Sequence, residues 1–71
     1  MVKPTRITNN IRDLRAAAGD MTQAELAEQV GVTRQTVNAI EQGKYSPSLE
    51  VAFKMACALG VPLEDAFQYP G

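Results

Sequence analysis

Apolar residues recur along this chain at helical spacing rather than in strand-like alternation. Ile7, Ile11 and Leu14 lead on to Ala18, which predicts a first helix from about Asn9 to Ala18, ended by Gly19 and Asp20. In the stretch "TQAE", Thr22 stands three residues before Glu25, the spacing of a capping box that satisfies the free N–H groups at a helix start. The second helix carries Leu26, Ala27 and Val30 on one face and stops at Gly31. Thr33 then caps a third helix, terminated by Gly43, with Val37 and Ile40 on its inward side together with Thr33. After the polar turn "KYSPS", Ser46 or Ser48 caps a fourth helix, with Pro47 compatible with its first position. That helix presents Leu49, Ala52, Phe53, Ala56 and Leu59 inward and closes at Gly60; "PLEDAF" forms a short fifth. The expectation is an all-α domain of five short helices, without strands, repeats or low-complexity segments.

Two short helices joined by three or four residues with a glycine are the makings of a helix-turn-helix, and the second and third helices meet that description around Gly31. The expected organisation is an N-terminal arm over residues 1–6, a helix-turn-helix domain over 7–67 and a C-terminal tail over 68–71. With 71 residues there is room for one small domain whose own core is modest, so a partner chain is a natural support. One cysteine and no histidine exclude a disulfide framework and disfavour a Cys/His metal site. Cys57, one turn from Phe53, reads as a buried or half-buried small apolar residue. Met55, Phe67 and Tyr69 fit either core or a dimer surface.

No segment is long and apolar enough to span a membrane, and "MVKPTRITNN" lacks the apolar centre of a signal peptide. A cytoplasmic protein with no cofactor is expected. No carboxylate pair is spaced for acid–base work and there is no glycine-rich phosphate loop, so an enzyme is the least supported class.

The net charge of −1 disfavours indiscriminate nucleic-acid binding, but the charge is unevenly distributed. Lys3, Arg6, Arg12 and Arg15 against Asp13 give the first 19 residues a balance of +3, and Arg34 and Lys44 form a second basic segment. The third helix displays Arg34, Gln35, Asn38, Ala39 and Gln42 on its outer arc. Arginine can bond guanine O6 and N7 together, and Gln or Asn can bond adenine N6 and N7, each such pair giving about 1–3 kcal/mol of discrimination. The same face also fits an ordinary solvated surface, although such surfaces usually favour Glu and Lys. The pattern alone leaves both open.

"MTQAELAEQVGVTRQTVNAIEQGKYSPSLEVAFKMACALGVPLEDAF" resembles the lambda-repressor-like, Xre-type helix-turn-helix family of phage repressors and Cro proteins, over about Ile7 to Phe67. The resemblance implies that the second helix crosses a DNA backbone while the third lies in the major groove. It implies base contacts from Arg34, Gln35 and Asn38. Ala39 departs from the family pattern, at a position that is polar in some relatives, and is expected to meet a thymine methyl instead. It also implies phosphate contacts from Gln23, Thr33, Thr36, Gln42, Lys44 and Tyr45, and an ion pair between Arg15 and Glu41 that serves the fold. The partner implied is a pseudo-palindromic double-stranded operator bound by a homodimer, with repression as the commonest outcome. The dimer surface is expected over Leu63 to Tyr69 and exposed parts of the fourth helix.

Asp20 reads as an extra residue in the turn joining the first two helices. Two rival classes remain: an antitoxin that represses its own operon, and a protein-interaction module that kept the fold.

Overall fold

The computed structural model describes residues 6–70, so most of the expected arm lies outside the described residues. The element order is β1 (Thr8–Asn9), α1 (Ile11–Ala17), α2 (Gln23–Val30), α3 (Arg34–Glu41), α4 (Leu49–Leu59), α5 (Leu63–Ala66) and β2 (Phe67–Gln68). The five helices are those expected, with α1 starting two residues later than its apolar spacing suggested. The Asn9 side chain explains this start: its Oδ1 accepts the Ile11 N–H at 3.2 Å.

The two-residue strands were not foreseen. β1 and β2 pair antiparallel, Thr8 opposite Gln68 and Asn9 opposite Phe67, and so join the two ends of the described chain. Asn10 extends the seam, its main-chain N–H donating to Ala66 O at 3.1 Å and its Nδ2 to Asp65 O at 3.2 Å.

Helix ends follow local chemistry. The α2 capping box is complete: Thr22 Oγ1 accepts the Glu25 N–H at 3.0 Å, and Glu25 Oε1 accepts the Thr22 N–H at 2.9 Å. Hydrogen bonding to its carboxyl, from the Thr22 main-chain N–H first and the Thr22 side chain second, holds Glu25 below its ordinary pKa. Gly31 closes α2 in the left-handed region at φ 86°, with its N–H on Ala27 O at 2.8 Å. Of the two serines, Ser48 caps α4, its Oγ accepting the Val51 N–H at 3.2 Å. Pro47 precedes that cap rather than occupying the first helical position, and its fixed φ serves the turn.

The core is built from Ile11, Leu26, Val37, Ile40 and Met55, all fully buried, with Ala27, Val30, Ala56, Leu59 and Ala66 around them. The buried stripe of α4 is Ala52, Met55, Ala56 and Leu59. This corrects the expected inner face, because Leu49 is 69% exposed and Phe53 50% exposed. Cys57 is exposed too, against the expectation of burial, since it lies one turn beyond Phe53 on the same outer side. Met55 belongs to the core, Phe67 is half-buried against it, and Tyr69 lies outside with Arg6 5.9 Å above its ring. Thr33 is exposed rather than inward because its side chain turns back to cap α3.

Candidate nucleic-acid interface

The α3 helix is held from below and displayed above. Val37 and Ile40 anchor it in the core, while Arg34, Gln35, Asn38 and Gln42 are exposed and Ala39 is half-buried. Its start is fixed by Thr33, whose Oγ1 accepts the Thr36 N–H at 3.1 Å and meets the Thr36 hydroxyl at 2.9 Å. One hydroxyl proton joins the two threonines, and the other stays available to an outside acceptor. Its end is fixed by Gly43 at φ 73° and by Lys44 N donating to Ala39 O at 3.0 Å, which turns Lys44 and Tyr45 out beside the helix.

Arg15 of α1 and Glu41 of α3 meet in a two-pronged ion pair, Nε to Oε2 at 2.7 Å and NH2 to Oε1 at 3.1 Å. The side chains are only 15% and 8% exposed, so the charges are largely withdrawn from water. The third guanidinium nitrogen donates to Met21 O at 2.8 Å. One side chain thus ties α1 both to α3 and to the turn containing Asp20, the non-glycine residue in that turn with a positive φ of 58°.

Glu41 Oε1 also accepts from Gln23 Nε2 at 3.1 Å, and the same Nε2 donates to Asn38 Oδ1 at 3.2 Å. Gln42 Nε2 reaches that Oδ1 at 3.3 Å. Gln23, Asn38, Glu41 and Gln42 are therefore one hydrogen-bonded group. Together with Arg12 and Arg15 they line a cleft of about 230 Å³ on one flank of α3. On the other flank Thr33, Gln35, Thr36, Ala39 and Tyr45 line a second, of about 240 Å³. The side chains of Arg34, Gln35 and Lys44 make no hydrogen bond or ion pair among the described residues. Their donors and acceptors face solvent.

The structure thus brings every sequence-selected residue onto α3 or its margins. Two contributors were missed. Arg12, exposed and without a partner among the described residues, stands at the mouth of the first cleft; its spacing three residues before Arg15 on a helix was the available signal. Asn9 donates through Nδ2 to Ile40 O at 2.9 Å, a bond between residues 31 apart that no local pattern announces.

Two short helices joined at a left-handed glycine, the second exposing a polar face, define a helix-turn-helix protein. A family model described as helix-turn-helix matches residues 11–65, and the chain belongs to that family. It is similar to an uncharacterized HTH-type transcriptional regulator of Methanocaldococcus jannaschii, with 55% identity over 53 residues covering 75% of this chain and 80% of that one. It is 41% identical over 58 residues to the cryptic phage CTXphi transcriptional repressor RstR of Vibrio cholerae, covering 82% of this chain and 51% of the repressor. Among solved structures it resembles the restriction-modification controller protein C.AhdI of Aeromonas hydrophila. There the TM-score is 0.71 and the identity 34%, over 78% of this chain and 82% of that one.

Proposed function

We propose that this chain is a DNA-binding transcriptional regulator that reads double-stranded operator DNA through α3. The observation that carries this reading is the exposed polar face of α3, on which Arg34 and Gln35 stand unpaired between two clefts. A helix of this size fits the major groove, which is about 12 Å wide. Arg34, Gln35, Asn38 and the Ala39 methyl face base edges. Lys44, Tyr45, Gln42, the Thr33–Thr36 hydroxyl pair and Arg12 lie along the margins and meet phosphates, which fixes register without specifying sequence. Gln23 meets phosphate through its main-chain N–H, because both Nε2 protons point at Asn38 and Glu41.

The names of the relatives, a phage repressor among them, support regulation by occluding a promoter and support a binding protein rather than an enzyme. The site of action is the cytoplasm, and no helix of the described residues is long and apolar enough to cross a membrane.

The protein acts as a homodimer on a pseudo-palindromic site. A cleft of about 480 Å³ beside β2 is lined by Pro47, Leu49, Leu63, Phe67 and Tyr69, with Leu49 and Tyr69 mostly exposed. A second copy seated there buries apolar surface, and a dimer reading two half-sites one helical turn apart holds its α3 helices about 34 Å apart. Sedimentation at high micromolar concentration, with and without DNA, tests this; a monomer under both conditions refutes it.

Selection of random duplex DNA on the purified protein at about 150 mM salt tests the function itself. A two-fold-related motif is expected. Folded protein that recovers none overturns the reading and favours a protein-interaction module.

A further inference from the structure

The hydrogen-bond group on the flank of α3 has a fixed polarity. A carboxylate can only accept, so the Gln23 atom facing Glu41 Oε1 at 3.1 Å must be the amide nitrogen. That nitrogen also faces Asn38 at 3.2 Å, and a donor there requires the Asn38 oxygen. Gln42 Nε2 then supplies a second donor to the same oxygen at 3.3 Å. Reversing the Asn38 amide sets its Nδ2 against two donors.

We propose that the Arg15–Glu41 ion pair, acting through Gln23, fixes Asn38 as a donor-only reader that selects guanine over adenine. The proposal rests on the DNA-binding reading. Both Asn38 Oδ1 lone pairs are occupied, while the Nδ2 protons remain free toward the groove. Asparagine's adenine pair needs that oxygen to accept from N6. With it engaged, Asn38 offers only protons, which suit the N7 and O6 acceptors of guanine and oppose the N6 amino group of adenine and the N4 amino group of cytosine. Arg15, Glu41 and Gln23 are thus positioning residues, and specificity at one base pair is set from the flank of the recognition helix.

The test combines duplex selection with side-chain amide exchange by NMR on the free protein. Asn38→Ala locates the base pair Asn38 reads, as the position whose preference disappears. Wild-type protein is expected to favour guanine over adenine there, on the order of tenfold. Gln23→Leu, with its fold checked by thermal melting, frees the Asn38 amide to rotate, and the guanine-to-adenine ratio falls several-fold. An adenine preference in the wild type, no position lost in Asn38→Ala, or an unchanged ratio in Gln23→Leu overturns the proposal. In the free protein the Gln23 Nε2 protons exchange several-fold more slowly than those of exposed Gln29. Equal rates overturn the relay whatever the DNA result, whereas slow exchange with no recovered motif overturns the DNA-binding reading, and the base selection with it.

Discussion

Asn9 Nδ2 donates a hydrogen bond of 2.9 Å to the main-chain oxygen of Ile40, while Asn9 Oδ1 accepts the Ile11 N–H at 3.2 Å. One side chain, on the strand that pairs with β2, thus fixes both the start of α1 and the end of α3. Asn9→Ala removes both bonds and leaves part-buried polar groups unmatched, at about 1–3 kcal/mol. Thermal melting checks the loss. DNA affinity, measured well below the melting temperature, falls as well, because the C-terminal end of α3 loses its tether.

Breaking the Arg15–Glu41 pair costs more. With side chains 15% and 8% exposed, removing Glu41 leaves a guanidinium largely shielded from water and without its carboxylate. Glu41→Ala is expected to lose about 3 kcal/mol. At about 4–8 °C per kcal/mol for a domain of this size, the melting temperature drops by more than about 10 °C. Arg15→Lys fares little better, since one ammonium cannot serve Glu41 and Met21 O in that geometry.

The capping box makes stability depend on acid. The Glu25 carboxyl has its folded pKa lowered from 4.5 by the Thr22 N–H and hydroxyl, so the folded state favours the ionised form. Its stabilising contribution is full above the unfolded pKa and is lost as pH falls below about 4.5 through the lower folded value. Urea midpoints measured between about pH 6 and pH 3 should fall with acid, and Glu25→Gln should flatten that part of the dependence.

Lys44 and Gln35 should separate position from sequence in DNA binding. Lys44→Ala weakens binding to cognate and random duplex alike and lowers the salt slope by about one. Gln35→Ala weakens the cognate site by about 1–3 kcal/mol and leaves random duplex unchanged. Titrations against both duplexes at two salt concentrations check the division; equal effects on every sequence refute it.

On α4, neighbouring apolar positions should behave oppositely. Met55 is fully buried and Met55→Ala should cost about 2–5 kcal/mol through lost burial and the cavity left behind. Phe53 is half exposed, and Phe53→Ser should change stability by about 0.5 kcal/mol or less. Chemical denaturation of the two variants decides which stripe faces the core.

The five helices were legible in the sequence because each rests on nearest-neighbour chemistry. Thr22 and Glu25 close a capping box, Thr33 caps its own helix, and Gly31 and Gly60 supply left-handed closures wherever the rest of the chain goes. The polar face of α3 was legible for the same reason, since Val37 and Ile40 leave it one way to point. The tertiary structure alone decided the rest. Two-residue strands carry no period, so the joining of Thr8 and Asn9 to Gln68 and Phe67 exists only once the chain has folded back. α4 is apolar nearly all round, so its own pattern could not choose between Phe53 and Met55; the shape of the space left by α2 and α5 did. The orientation of Asn38 was undecidable locally, because an amide has no preferred end until the part-buried Glu41 carboxylate fixes which atom of Gln23 faces it.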